Sequence, residues 1–195
     1  MKNYFSCADT AKIIRQVLKE SFPGVKFSVK SSTYSMGASI TVRYQDGPTA
    51  DAVKAAVSIF EASYFDGMQD YKGQRYSAID GQEVSFGADY VFVDRQISDE
   101  LYAAALDALY EKFAGNFRDD PLPRVTVADV KNGASFCREI PGMSNGLYGG
   151  FNRRLEEVVK ELDADFPVQQ SATLARITSL GDDGYGQGCV GRLAA

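Results

Sequence analysis

The sequence predicts an α+β fold, and three observations carry that expectation. Helical apolar stripes and period-two runs follow one another in the order α-β-β-α-β-α over about the first 115 residues. Proline and glycine punctuate the boundaries between them. Of the 195 residues, 45% are apolar, enough to build a core. The expected architecture is an antiparallel sheet packed on helices, with residues 1–117 as one domain and 118–195 as a C-terminal α/β extension packed on it.

The first helix is read over Asp9 to Ser21, where Ile13, Ile14, Val17 and Leu18 make one stripe and Ser6 or Asp9 is placed to cap it. Phe22-Pro23-Gly24 stops it. Val25, Phe27 and Val29 then alternate with polar residues, as do Ile40, Val42 and Tyr44, which predicts two strands of a hairpin. The loop between them reads as longer than a two-residue turn, with Gly37 at a left-handed or bulged position. After Asp46-Gly47-Pro48, a second helix starts near Thr49 and presents Val53, Ala56, Val57 and Phe60. The polar stretch to Gln82 shows no single period and reads as a long connection.

Val84, Phe86, Ala88, Tyr90 and Phe92 keep period two for nine residues and predict the third and longest strand. Ser98, Asp99 and Glu100 open a third helix carrying Leu101, Ala105, Ala108, Leu109 and Phe113, closed by Gly115. Beyond the linker-like Arg118–Pro123 stretch, the expectations are a short strand at 125–130, a glycine-rich passage at 142–150, a helix at about 152–163 and a strand at 173–179.

Composition excludes several chemistries. There is no histidine, so Ser-His-Asp and Cys-His catalysis are out, and the commonest proton shuttle is missing. Three widely spaced cysteines, Cys7, Cys137 and Cys189, suit small buried hydrophobes in a reducing compartment better than a disulfide framework. A net charge of −5 opposes non-specific attraction to a phosphate backbone. No apolar run is long enough to span a membrane and the N-terminus has no signal-peptide pattern, so the expected setting is soluble and cytoplasmic.

Four motifs occur in order: Phe22-Pro23-Gly24-x-Lys26-Phe27-Ser28-Val29; Tyr34-Ser35-x-Gly37-x-Ser39-Ile40-x-Val42; Asp46-Gly47-Pro48; and Phe65-Asp66-Gly67-Met68-x-Asp70-Tyr71. Together they resemble a large polyvalent protein-associated domain, the twenty-ninth of that numbered set, over about residues 8–115. The resemblance implies a module of phage and conjugative-element proteins, found in large proteins or standing alone. It implies no catalytic mechanism. The context it suggests is action inside a bacterial host cell on a nucleic-acid-guided or restriction defence.

Tyr34, Ser35 and Met36 are candidates for a recognition tip, joined by Arg43, Tyr44, Asp66, Asp70 and Tyr71 as binding residues; the alternative is that Tyr34 folds back and the hydroxyls serve the turn. The partner expected is a host defence protein complex, a CRISPR effector or a restriction enzyme. Lys26, Lys30 and Arg43 form the alternative, a basic sheet face for nucleic acid. Asp46, Asp66 and Asp70 are oxygen donors of the kind that hold hard cations, though their spacing fits no calcium loop and aspartate beside glycine more often caps a turn. No catalytic residue, cofactor or metal is assigned, and the chain is expected to bind rather than to catalyse, with a metal-dependent enzyme using Asp46, Asp66 and Asp70 as the second alternative. Gly184-Tyr185-Gly186-Gln187-Gly188 lacks the lysine and hydroxyl of a phosphate loop.

Overall fold

The computed structural model describes residues 3–143 and 150–183. Most of the glycine-rich passage at 142–150, the whole of the Gly184–Gly188 run and Cys189 lie outside those residues. The fold class is α+β, with mostly antiparallel sheets packed against helices. Among the described residues no helix is long and apolar enough to cross a membrane. The chain divides into two compact units. The first comprises residues 1–44, 50–95 and 167–195, and the second 45–49 and 96–166. Beyond residue 167 the chain returns to the first unit, where the strand at Ile177–Asp182 pairs with the one at Tyr71–Ile79.

The first unit begins with a short strand that the sequence did not suggest, β1 (Asn3–Phe5), followed by helix α1 (Cys7–Ser21). The Ser6 hydroxyl accepts the Asp9 N–H at 3.1 Å, and this cap sets the start of α1. Ile14, Val17 and Leu18 of the predicted stripe are fully buried together with Ala11, while Ile13 stands at its edge, half-buried. The helix ends where Phe22 enters the core and Gly24 takes φ +89°.

Next come β2 (Ser28–Tyr34) and β3 (Gly37–Gln45), an antiparallel hairpin in which Ser31 faces Ile40 and Tyr34 faces Gly37. The turn is therefore only Ser35-Met36, shorter than expected, and Met36, not Gly37, takes the positive φ of 69°. The hydroxyl-rich stretch is strand because β2 is an edge strand. It has one neighbour and a solvated face, so pairing holds it where apolar alternation fades. Gly37 is needed for space instead: a Cβ there would lie 2.8 Å from both Asp89 Oδ2 and the Tyr34 ring.

Helix α2 (Ala50–Val57) and a 3-10 turn (Ser58–Phe60) bury Val53, Ala56, Val57 and Phe60, as the spacing predicts. The expected long connection is instead a second hairpin, β4 (Ser63–Asp66) and β5 (Tyr71–Ile79). Its strands escaped notice because their buried positions, Ser63, Gly73, Ser77 and Ala78, are small and carry no hydrophobic signal.

The predicted nine-residue strand is really two, β6 (Gln82–Phe86) and β7 (Tyr90–Gln96), in different sheets. One sheet has the order β1-β6-β5-β4, and the other β2-β3-β7. The chain crosses between them at Gly87-Ala88-Asp89. There the Gly87 N–H reaches the Thr10 hydroxyl (3.3 Å), the Ala62 N–H donates to the Ala88 carbonyl (2.8 Å), and the Asp89 N–H donates to Ala38 O (2.8 Å). The crossing reverses the facing of the chain. Val84, Phe86 and Ala88 are buried, but beyond it Val91 turns inward and Phe92 outward.

Strand β8 (Ile177–Asp182) pairs antiparallel with β5, Ile177 facing Ile79. Its approach is pinned by Glu20. One carboxylate oxygen accepts the Ser171 hydroxyl (2.6 Å) and the Thr173 N–H (2.9 Å), the other accepts the Thr173 hydroxyl (2.9 Å), and the Gln169 N–H donates to Ser21 O (2.8 Å). The Ser171 bond, then the Thr173 N–H, lowers the Glu20 pKa from 4.5 to about 2. Because the folded value is the depressed one, the clamp is in full force above pH 4.5 and is lost as pH falls towards 2. Hydrogen exchange of amides 169–178, corrected for intrinsic rates, is expected to be slow at pH 7 and fast at pH 2. Glu20→Gln is expected to speed it at pH 7.

The second unit is helical: α3 (Asp99–Lys112), α4 (Ala114–Phe117), α5 (Val127–Asn132) and α6 (Phe151–Leu162). Ala105, Leu109, Ile140, Phe151, Leu155 and Val158 form its core. Gly115 lies inside α4 rather than closing α3. The expected strand at 125–130 is helix α5, because Thr126 and Asp129 cap each other's backbone and Gly133, at φ +82°, ends it.

Candidate binding surface

The two hairpins of the first unit meet at Asp89. Its Oδ2 accepts the Ala38 N–H of β3 (2.9 Å), while Oδ1 accepts the Ser63 hydroxyl of β4 (2.9 Å) and pairs with Lys72 of β5 (2.8 Å). Burial pushes the Asp89 carboxyl up, but the bonds from Lys72, Ala38 and Ser63 outweigh it and leave the pKa below the ordinary aspartate value. One ionised carboxylate thus fixes both hairpins. Sequence reading missed Asp89 and Lys72, since neither belongs to a motif. The one available signal was the glycine two residues before Asp89, within a run read as continuous strand.

The tips so fixed carry large apolar side chains in water. Met36 is 94% exposed and Met68 96%, with Tyr34 and Phe65 more than half exposed beside them. Ser35 completes the first tip. In the second, Asp66 Oδ1 accepts the Met68 N–H (2.9 Å) and Asp70 takes φ +51°, so both aspartates shape the turn. Tyr71 stands opposite Asp66 and donates to Asp183 Oδ2 at 2.8 Å; Tyr64 donates to Oδ1 at 2.6 Å. Tyr71 therefore ties the second hairpin to the end of β8.

Arg43 points outward from β3 and pairs with Asp94 of β7 at 2.9 Å. Tyr44, next along, faces the other way. It is buried with its ring 5.1 Å from Phe27, so it belongs to the core and not to the surface. Lys30 is on the same outward face as Arg43, and exposed Lys26 precedes β2. Asp46 belongs to the second unit, where its carboxylate accepts the Ser98 N–H at 2.8 Å. Among the described residues no three Cys, Asp or Glu side chains are grouped as a metal site requires.

The split of the third strand turns two of its aromatic residues to the outside. Tyr90 and Phe92 emerge on the outer face of the β2-β3-β7 sheet with ring centroids 6.3 Å apart, and Phe92 is 55% exposed.

Residues 5–98 match the family model for large polyvalent protein associated domain 29, as the four motifs imply. The match runs from the end of β1 to the cap of α3, and β8 and helices α3 to α6 lie beyond it. It covers just under half of the chain and associates that segment with the polyvalent proteins of phages and mobile elements. No curated protein and no solved structure matches the chain.

Proposed function

We propose, from the family to which residues 5–98 match, that this protein is a phage or mobile-element accessory module that inhibits a host defence complex by occupying its surface, without breaking bonds. The observation that carries the reading is the pair of braced hairpin tips. Exposed thioethers and rings on turns held by Asp89 and Asp66 give adaptable contact area on a preorganised frame. Desolvating such side chains on a partner supplies binding energy that a flexible loop would spend on ordering itself.

The test mixes the purified protein with representative CRISPR effectors and restriction enzymes and reads co-elution and target cleavage. Co-elution with loss of cleavage is expected for at least one. Met36→Asp and Met68→Asp are each expected to weaken that inhibition at least tenfold, about 1.4 kcal/mol, with the melting temperature unchanged. If none of these complexes co-elutes or loses activity, the reading is wrong.

A further inference from the structure

The outer face of the β2-β3-β7 sheet is laid out in rows. Register puts Ser28 beside Arg43, Lys30 beside Thr41 and Ser32 beside Ser39. Strand β7 lies beside β3 in that sheet, with the Ala38 N–H on Asp89 Oδ2 near one end and Arg43 paired with Asp94 near the other. The Arg43–Asp94 pair and the alternation along each strand put Tyr90 and Phe92 on the same face as Ser39, Thr41 and Arg43. The face therefore has aromatic rings along β7, small hydroxyl residues down the middle and lysine on β2, with Tyr34 at one corner.

Its charge runs against that of the whole chain. Lys26, Lys30, Arg43 and Lys72 stand against Asp89 and Asp94, two cations in excess on a protein of net charge −5. Both carboxylates are already taken, by Lys72 and Arg43, and Lys26 and Lys30 have no acidic partner among the described residues. The Lys72 ammonium also lies 6.0 Å from the centre of the Tyr90 ring.

We infer that this face binds single-stranded nucleic acid, stacking bases on Tyr90 and Phe92 and placing phosphates against Lys26, Lys30 and Lys72. Rings 6.3 Å apart can each take a separate base, and the flat Ser39/Thr41 strip leaves the backbone a path to the lysines. A duplex keeps its bases stacked inside and cannot use the rings. The inference is independent of the defence-complex reading, because it rests on a sheet face and not on the hairpin tips.

The test is fluorescence anisotropy of labelled twelve-nucleotide oligo-dT and oligo-U, with a twelve-base-pair duplex as comparison, between about 50 and 200 mM salt. Single strands are expected to bind at low salt, better than the duplex, with the DNA and RNA arms showing which is preferred. With three phosphates contacted, log affinity is expected to fall with log salt at a slope of about −2, and Lys30→Ala to flatten that slope by about 0.7. Phe92→Ala, at an exposed position, is expected to lower affinity at least fivefold with the fold intact. Absence of single-strand binding at low salt overturns the inference, as does binding indifferent to Phe92→Ala and Lys30→Ala. So does loss of defence-complex binding, and not of oligonucleotide binding, in Phe92→Ala, which makes the face a protein contact.

Discussion

Replacing Gly87 by alanine is expected to destabilise the protein by about 3 kcal/mol, because the new methyl overpacks a site with no room. A Cβ there would lie 2.6 Å from the Phe5 carbonyl oxygen and 2.7 Å from the Cys7 nitrogen. Both are backbone atoms, and neither moves cheaply. Phe5 is registered against Phe86 in the β1–β6 pair, and Cys7 opens α1 just after the Ser6 cap. The cost is therefore one of space and not of dihedral preference. In calorimetry it corresponds to a fall of roughly 6–12 °C for a chain of this size. Gly115→Ala is the internal control. A Cβ at that position would meet nothing within 4 Å, and Gly115 sits in helix α4, so the same chemical change is expected to be neutral or mildly stabilising. Equal losses at the two glycines would refute the steric account.

The second large effect is expected at Glu61. Its Oε1 accepts the Val91 N–H (2.9 Å) and pairs with Lys54 (2.6 Å), while Oε2 pairs with Arg75 (2.9 Å). One carboxylate thereby joins α2, β5 and β7. Its side chain is 11% exposed, against 43% for Lys54 and 40% for Arg75. On removing Glu61 the two cations can regain water, and the Val91 N–H cannot do so as readily. Glu61→Ala is therefore expected to cost about 3 kcal/mol, the low end for breaking a buried pair. Glu61→Gln keeps an acceptor for Val91 and is expected to lose about half as much, the charged share of the bonds. Urea unfolding of the two variants side by side separates the charge from the hydrogen bond.

What could be read in the sequence was whatever announced itself by period or by punctuation. The stripe of α1, the buried spacing of α2 and the Ser98 cap of α3 are of that kind, and the chain folds accordingly. Elements that bury small residues gave no such sign. Strand β5 has three hydrogen-bonded neighbours yet buries Gly73, Ser77 and Ala78, so nothing in its composition marked it as central. The run from Val84 to Phe92 misled for the opposite reason. Its alternation is unbroken, but the crossing at Gly87 reverses which parity faces inward, so Val91 is buried while Tyr90 is half-buried and Phe92 exposed. Likewise the capping pair Thr126 and Asp129 outweighed the β-branched residues around it.

The candidate surface was legible in part. Tyr34, Ser35 and Met36 were located from the turn chemistry around them, and they stand where a tip should. Asp66 and Asp70 were located too, but as shapers of a turn. Tyr44 was counted among the binding residues although it shares the parity of Ile40 and Val42, and it is buried with them. Asp89, which holds both hairpins, is joined to them by contacts 17 to 51 residues apart in the chain, and local pattern carries no trace of such a link.

The return of β8 to β5 bears on how the molecule is made. A ribosome will have released more than 150 residues before the strand that flanks β5 emerges, so the first unit waits, incomplete, while the entire helical unit is synthesised. A chain cut after residue 98, the end of the family match, keeps every motif but leaves one flank of β5 unsheltered. Such a fragment invites intermolecular pairing along that flank, and its solubility depends on whether it finds a substitute strand.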